Sequence, residues 1–407
     1  MNYIERTTCR GCNGQLDLIL DLGQIVPSDF LLPDEPDPDP IPMTLLACRG
    51  CGLVQIGQTV DDTELYSRYW YQSGINEVMR QELASVVQVA RAMVGCGPGD
   101  CVIDIGANDG TLLKNFSPAV HRIAFEPAAN LIDRLGACCD VAYNQFFPGR
   151  ASKGLADYSA KIITSIAMFY DLEDPKQFVR EIDRLLTEDG VWVVQFQDLA
   201  QQVQTHAVDN CCFEHRLYLS LASLTGLLEG CDLHVTDVDR RAINGGSLRC
   251  LIQRRHQPVL PTVEAWAHRE APFITALALE RFAWQASVTK SMLRALLEGA
   301  IERVGLLDLY AASTKSSTLV QYCGLAGWIG RAVERTPEKV GRRTSGTNIP
   351  IISEEDWRKD PGKLALLGAW QFADAFCQRE SDYLRQGGGF VVPLPNPRII
   401  YYGGPRE

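Results

Sequence analysis

Two Cys-x-x-Cys pairs, Cys9/Cys12 and Cys48/Cys51, offer four thiols. The spacing within each pair lets both thiolates point at one ion, and two such pairs make the four-thiolate set of a zinc site. Gly11 and Gly50 sit at matching places inside the two turns. A redox-active pair would open a helix after a strand, and neither pair has that setting. A closed set of four leaves no open position for substrate, so the expected metal is structural. Buried free thiols are the alternative.

The segment CVIDIGANDGTLL (101–113) is the most specific in the chain. An apolar strand should run into a Gly-rich turn and then a helix. Asp104 ends the strand, Gly106 and Gly110 allow close backbone approach, and Asp109 and Thr111 lie where the helix should open. About twenty residues on, a second strand ends in an acid, Glu126, placed to take both hydroxyls of a ribose. The glycine spacing is not GxGxxG, and no Lys-Ser/Thr follows as in a P-loop. The loop therefore favours a nucleoside with no cradled phosphate. S-adenosylmethionine (SAM) fits, since its cation tolerates nearby carboxylates. The candidate cofactor residues are Asp104, Gly106, Asn108, Asp109, Gly110, Thr111, Glu126 and Pro127. Ser165 and Met168, in TSIAMFYDLEDP, are candidate pocket linings. An ordinary strand–helix turn is the alternative.

Of six histidines, His121, His206, His234, His256 and His268 lie in polar or strand-edge contexts. His215 is different. It stands in DNCCFEHRLYLSL beside Glu214, with Tyr218 three residues on. The stretch follows the fifth predicted strand, at the carboxyl end of the sheet, where open α/β folds bind ligands. Histidine with an acid and a phenol is a workable acid/base set near neutral pH. A satisfied structural histidine is the alternative. The vicinal pairs Cys138–Cys139 and Cys211–Cys212 lack metal spacing and read chiefly as small buried hydrophobes.

These residues need a scaffold. The chain has 407 residues, enough for two or three domains. Its 39 Lys+Arg against 50 Asp+Glu leave a net charge of −11, which argues against a broad nucleic-acid footprint. No apolar stretch approaches the ~20 residues of a membrane span. The N-terminal MNYIERTTCRGC has charges and cysteines where a signal peptide needs an apolar stretch, so a cytoplasmic location is expected. Residues 1–70 read as loop-rich, with PDEPDPDPIP between the cysteine pairs. A helix pattern begins near 75 and breaks at GCGPGD. Then CVIDIGA, HRIAFEP, VAYNQFF, KIITSIAMFY and VWVVQF alternate with helical segments, the pattern of a doubly wound parallel sheet. LHVTDVDRRAI and GSLRCLIQRR should close it as an antiparallel pair. After HQPVLP, residues 262–303 form a long helical pattern broken near Pro272. LLDLYAAS, WIGRAVER, KLALLGAW and GFVVPLP predict a second α/β layer.

Together these segments resemble the SAM-dependent sugar C-methyltransferases, which act on nucleotide-linked, typically dTDP-linked, 4-keto-deoxysugars on antibiotic pathways. CRGC…LDLG and LLACRGCGLVQ resemble the family's zinc-binding domain, YWYQSGINEVMR its linker, VIDIGANDGTLL its SAM loop and NGGSLR its terminal hairpin. YAASTKSSTLVQYCGL, ERTPEKVGRRTSGTNIPII and GGGFVVPLPNP resemble its C-terminal domain. The resemblance covers nearly the whole chain, in order. It implies an α/β protein of three parts: a four-cysteine zinc-binding domain (1–70), a class I SAM methyltransferase domain (71–257) and a Rossmann-like domain (258–407) helping to bind the nucleotide-sugar. It implies SAM and structural Zn2+ as cofactors and a nucleotide-linked keto-sugar as partner, with no nucleic acid or membrane. The oligomeric state stays open, a monomer included.

The resemblance also implies roles. His215 matches the base of a His-Glu-His-type motif, which would take the proton beside the sugar ketone to form an enolate. Glu214 matches the motif's acid, and Tyr71 matches an aromatic hydroxyl near the sugar. Three positions depart from the family: Phe213 stands for the motif's first histidine, Cys212 for a tyrosine, and Ser316 for a glycine. All three are expected near the sugar. Lys315 reads as a diphosphate contact or a surface lysine, Trp370 as packing, and Asn244 as turn chemistry. Two other functions are compatible with these residues: an O- or N-methyltransferase on a related sugar, or an inactive zinc- and SAM-fold binding module.

Overall fold

The computed structural model of the protein describes residues 2–66, 69–155 and 159–403. Its centre is a seven-stranded sheet: β1 (Cys101–Ile105), β2 (His121–Phe125), β3 (Val141–Tyr143), β4 (Ala160–Ile166), β5 (Leu186–Gln197), β6 (Leu233–Arg241) and β7 (Ser247–Arg254). The strand order is 3-2-1-4-5-7-6. The first five strands are parallel, and β7 runs antiparallel to both β5 and β6. β1 is buried along its whole length, as a strand covered on both faces must be. The order reverses beside β1, which makes its carboxyl end a topological switch point.

A second sheet holds β8 (Leu307–Tyr310), β9 (Ile329–Glu334), β10 (Ile351–Ser353), β11 (Leu364–Leu367), β12 (Gly389–Val392) and β13 (Arg398–Tyr401). Counted within this sheet, the order is the doubly wound 3-2-1-4-5-6, with the last strand antiparallel. Its switch point is at β8. The two sheets are joined by helices Pro261–Glu270 and Ala276–Val304, with a short turn at Ala271–Phe273 between them. Pro272 lacks the N–H that continuing the helix would require.

Two sequence expectations are corrected. Residues 1–70 are rich in strands rather than loops. Leu16–Ile25, Ile41–Cys48 and Val54–Ile56 form a sheet, and Leu217–Tyr218 adds a fourth strand to it. The burial of IPMTLLAC alternates along the strand, but the adjacent apolar Leu45 and Leu46 hide that period in the sequence. Second, no α-helix follows the Gly-rich loop. Turns lead to a single 3-10 turn, Leu113–Asn115. Gly110 takes φ +77°, and Asn115 folds its amide back onto the Thr111 and Leu112 carbonyls, so the next turn does not propagate.

The N-terminal sheet does not stand apart. Phe30–Leu31 pairs with Arg343–Thr344. Leu45, Val54 and Ile56 share one hydrophobic cluster with Val203, Phe213, Leu309 and Leu366. Among the described residues no helix is long and apolar enough to cross a membrane.

Candidate active site

The four cysteine sulfurs lie within 4.8 Å of one another. Cys9 Sγ is 3.6 Å from Cys51 Sγ, and Cys12 Sγ is 3.4 Å from Cys48 Sγ. A tetrahedral zinc with Zn–S bonds of ~2.3 Å needs sulfurs about 3.8 Å apart, so the set fits the ion. A Cβ on Gly14 would come within 3.1 Å of Cys12 Sγ and 3.2 Å of Cys48 Sγ, so glycine leaves room beside these two sulfurs. All four donors come from the protein, which makes the metal a structural one.

The candidate active-site cavity is elsewhere. A cavity of about 750 Å³ opens where the two switch points face each other. Asp104–Asn108 and Ile166–Met168 line it from the carboxyl ends of β1 and β4. Ser313–Lys315 and Gly368–Ala369 line it from those of β8 and β11. Residues of the 62–73 linker close a third side.

The β1 loop supports a nucleoside site. Asp104 is buried and accepts from Thr164 Oγ1 at 2.6 Å. Burial, with Glu126 nearby, pushes its carboxyl up to about 7. Glu126 accepts from the Asn108 and Ala128 amides, both at 2.8 Å. These bonds fix its orientation and leave lone pairs for ligand hydroxyls. Gly106 is at φ +70°, and a Cβ there would sit 2.9 Å from Met168 Cγ. Pro127 and Met168 also line the cavity. Carboxylates here, with no cation on the loop, fit the sulfonium and ammonium charges of SAM.

Not every expected cofactor residue reaches the cavity. Asp109 turns away to accept from the Gly74 amide at 2.8 Å and from Thr111 Oγ1 at 2.6 Å. Asn108 accepts from Ser73 N and donates to the Tyr71 carbonyl. The loop's polar side chains therefore clamp the linker that carries Tyr71. Gly110 faces Cys138, whose Cβ lies 2.6 Å from a Cβ built on the glycine. Ser165 is buried behind the wall and accepts from Trp192 Nε1 at 3.1 Å. None of Asp109, Gly110, Thr111 and Ser165 lines the cavity.

His215, Glu214 and Tyr71 do line it. His215 Nδ1 lies 3.1 Å from the Asn210 carbonyl. An acceptor there assigns the proton to Nδ1 and leaves Nε2 as the basic nitrogen. Burial, with Lys315 adding repulsion, pushes the imidazole down to about 3, so it rests neutral. Tyr170 packs edge-on against the ring at 4.5 Å. Glu214 accepts from Thr314 Oγ1 at 3.2 Å, and burial raises its carboxyl. Tyr218 does not line the cavity; its hydroxyl contacts the Asn210 carbonyl at 3.5 Å.

The three departures from the family pattern also stand off the cavity. Cys212 and Phe213 are buried at 2% and 1% exposure, and neither lines it. Ser316 forms a capping box with Ser313 at the start of helix Thr314–Cys323. Sequence reasoning passed over Asp171, Tyr170 and Tyr66, which line the cavity beside Glu214 and His215. Asp171 keeps Oδ1 unpartnered among the described residues. The only signal for the first two was their position just after the fourth strand.

Family models match three consecutive parts of the chain. They are a zinc binding domain (9–66), a methyltransferase domain (75–238) and a C-methyltransferase C-terminal domain (242–395). The C-methyltransferase NovU of Streptomyces niveus is 28% identical over 408 residues, covering 96% of each chain. Among solved structures, magnesium protoporphyrin IX methyltransferase (ChlM) from Synechocystis PCC 6803 is 13% identical. That match covers 48% of this chain and 98% of the other, with a TM-score of 0.36. The N-methyltransferase NodS from Bradyrhizobium japonicum WM9 is 11% identical. It covers 44% of this chain and 97% of the other, with a TM-score of 0.34.

Proposed function

Because the chain belongs to the SAM-dependent C-methyltransferases with an N-terminal zinc-binding domain, we propose that its substrate is a nucleotide-linked 4-keto-deoxysugar. The methyl group goes to the carbon next to the ketone, and His215 is the base. The nucleotide is dTDP in this reading, and the enzyme serves deoxysugar supply for an antibiotic in the cytoplasm.

The observation that carries the proposal is the hydrogen bond from His215 Nδ1 to the Asn210 carbonyl. It presents a neutral imidazole with Nε2 ready to accept a proton. A ketone acidifies the adjacent C–H. His215 Nε2 takes that proton, and the C–H electron pair moves into an enolate whose charge rests on the former ketone oxygen. Bound SAM supplies an electrophilic methyl whose departure leaves a neutral thioether. Glu126 holds the ribose hydroxyls, while Asp104, Gly106 and Met168 wall the methionine part. Glu214, buried and held by Thr314, orients a sugar hydroxyl, and Tyr71 closes the chamber from the linker. Lys339 and Arg342, which line the C-terminal wall, suit a diphosphate.

The test uses trideuteromethyl-SAM with a panel of nucleotide-linked 4-keto-deoxysugars. A labelled methyl on the carbon beside the ketone is the expected result. A label on oxygen or nitrogen overturns the C-methylation of these sugars. No transfer to any of them, with SAM bound, overturns the substrate class.

A further inference from the structure

Lys315 is badly placed for a structural lysine. It lies in the first turn of helix Thr314–Cys323, where the backbone dipole and free N–H groups disfavour a cation. It lines the cavity. An ammonium group has three protons to donate, and among the described residues Nζ makes one hydrogen bond, to the Asn244 carbonyl at 3.1 Å. Asp209 supplies a nearby negative charge; its Oδ2 accepts from Trp370 Nε1, and among the described residues neither of its oxygens is hydrogen-bonded to Nζ. Two donor protons of Lys315 are left for a ligand.

Its position is tied to that of His215. Asn210 accepts His215 Nδ1 at its carbonyl, and its side-chain Oδ1 accepts from Gln197 Nε2 at 3.2 Å. The same Gln197 Nε2 reaches the Asn244 carbonyl at 3.2 Å, and Asn244 in turn accepts from Lys315. A continuous path of hydrogen bonds therefore sets base and cation relative to one another. Asn244 sits at φ +55°, which turns its carbonyl into this path. Gln197 ends β5, and Lys315 follows β8, so the pair spans both switch points.

We propose that Lys315 is a catalytic residue that holds the sugar's ketone oxygen and stabilises the enolate while His215 removes the proton from the adjacent carbon. The inference rests on the keto-sugar reading above. The C–H bond breaks, its proton goes to His215 Nε2, and the developing oxyanion is met by the ammonium with no proton transferred from it. When the carbon–methyl bond forms, the electron pair returns from the oxygen and the ketone is restored. Removing one such preorganised donor commonly costs 10²–10³ in rate. Arg342, on the same wall but outside this path, remains for the diphosphate, beside Lys339, which the Ala312 carbonyl and Glu334 hold in place.

The test follows deuterium uptake from D2O beside the ketone of dTDP-4-keto-6-deoxyglucose. It uses full-length zinc-loaded enzyme with S-adenosylhomocysteine in place of SAM, so that proton removal is read alone. Wild type exchanges and His215→Asn does not. Lys315→Met and Lys315→Gln are expected to slow exchange by ~10²–10³, with KM, melting temperature and S-adenosylhomocysteine affinity near wild type. Lys315→Arg should keep an intermediate rate. Wild-type exchange rates in both neutral variants overturn the role. A raised KM at unchanged rate overturns it too, by making Lys315 a binding contact only. Borohydride-dependent coupling of the sugar to Lys315 overturns it in favour of an imine. If wild type neither exchanges nor transfers a methyl, the keto-sugar reading fails and this role fails with it; that outcome is recognised in the wild-type arm alone.

Discussion

Trp370 Nε1 donates to Asp209 Oδ2 at 2.9 Å, linking the second sheet to the turn that carries the candidate base. Asp209 is fully buried in the turn Val208–Asn210. The next residue, Asn210, holds His215 through its carbonyl. An indole that follows β11 thus steadies an imidazole of the central domain through two intervening residues.

Trp370→Phe tests this coupling. The ring is kept and the donor lost, leaving a buried carboxylate short of a partner, at a cost of about 1–3 kcal/mol. Melting should fall by several degrees. Methyl transfer should fall as well, with SAM affinity unchanged, because Trp370 does not line the cavity. Calorimetry and a labelled-methyl assay on the same sample give both values.

His215→Asn should bind SAM normally and transfer no methyl, since asparagine offers no basic nitrogen at that place. Isothermal titration and the labelled-methyl assay read the two properties separately. Turnover near that of wild type would remove His215 from the reaction.

The same substitution has a stability signature. Burial holds the folded imidazole near 3, while an unfolded histidine titrates near 6.5. Above pH 6.5 both states are neutral and the group adds no pH dependence. As pH falls below 6.5 the unfolded chain binds a proton that the folded one refuses, so stability is lost towards the folded value. The loss is about 2 kcal/mol by pH 5. Denaturation midpoints at pH 7 and pH 5 should separate more for wild type than for His215→Asn.

Cys48→Ser should release zinc and lower both solubility and melting temperature while leaving the SAM loop intact. The cluster braces a sheet whose Val54–Ile56 strand pairs with Leu217–Tyr218, two residues beyond His215. Some loss of turnover should therefore accompany metal loss. A zinc-free variant with unchanged melting and full activity would show that the ion braces nothing.

The strands of both sheets were legible because parallel strands buried on two faces read as continuous apolar runs. CVIDI and LALL are of this kind. Gly106 and Glu126 were legible because strand, turn and downstream acid have a fixed spacing. Asp109 and Thr111 turn from the cavity for a physical reason: Asp109 takes the Gly74 amide, some 35 residues away in the chain, and holds Thr111 Oγ1 with it. Phe213 read as an altered site residue. The N-terminal sheet and the C-terminal domain meet around it and make it core. The sequence singles out Lys315 and Trp370 but not their contacts, because their partners Asn244 and Asp209 become neighbours only when the two sheets dock.

Asp104 should make cofactor binding depend on pH. Its carboxyl is raised to about 7, first by burial and then by Glu126. Below pH 7 it is mostly protonated and offers a cationic ligand little attraction. Above pH 7 it is an anion at low exposure, where a charge interaction is screened less than at the surface. SAM affinity should therefore rise between pH 6 and pH 8. Asp104→Asn keeps the shape and an acceptor for Thr164 Oγ1 but cannot ionise, so its affinity should be weak and flat over that range. Calorimetry of SAM at pH 6, 7 and 8 with both proteins checks the slope. The neutral analogue S-adenosylhomocysteine, which lacks the sulfonium charge, separates the causes. A wild-type slope that persists undiminished with it would assign the effect to the ligand's amino group, and parallel slopes in both proteins would remove Asp104 from cofactor binding.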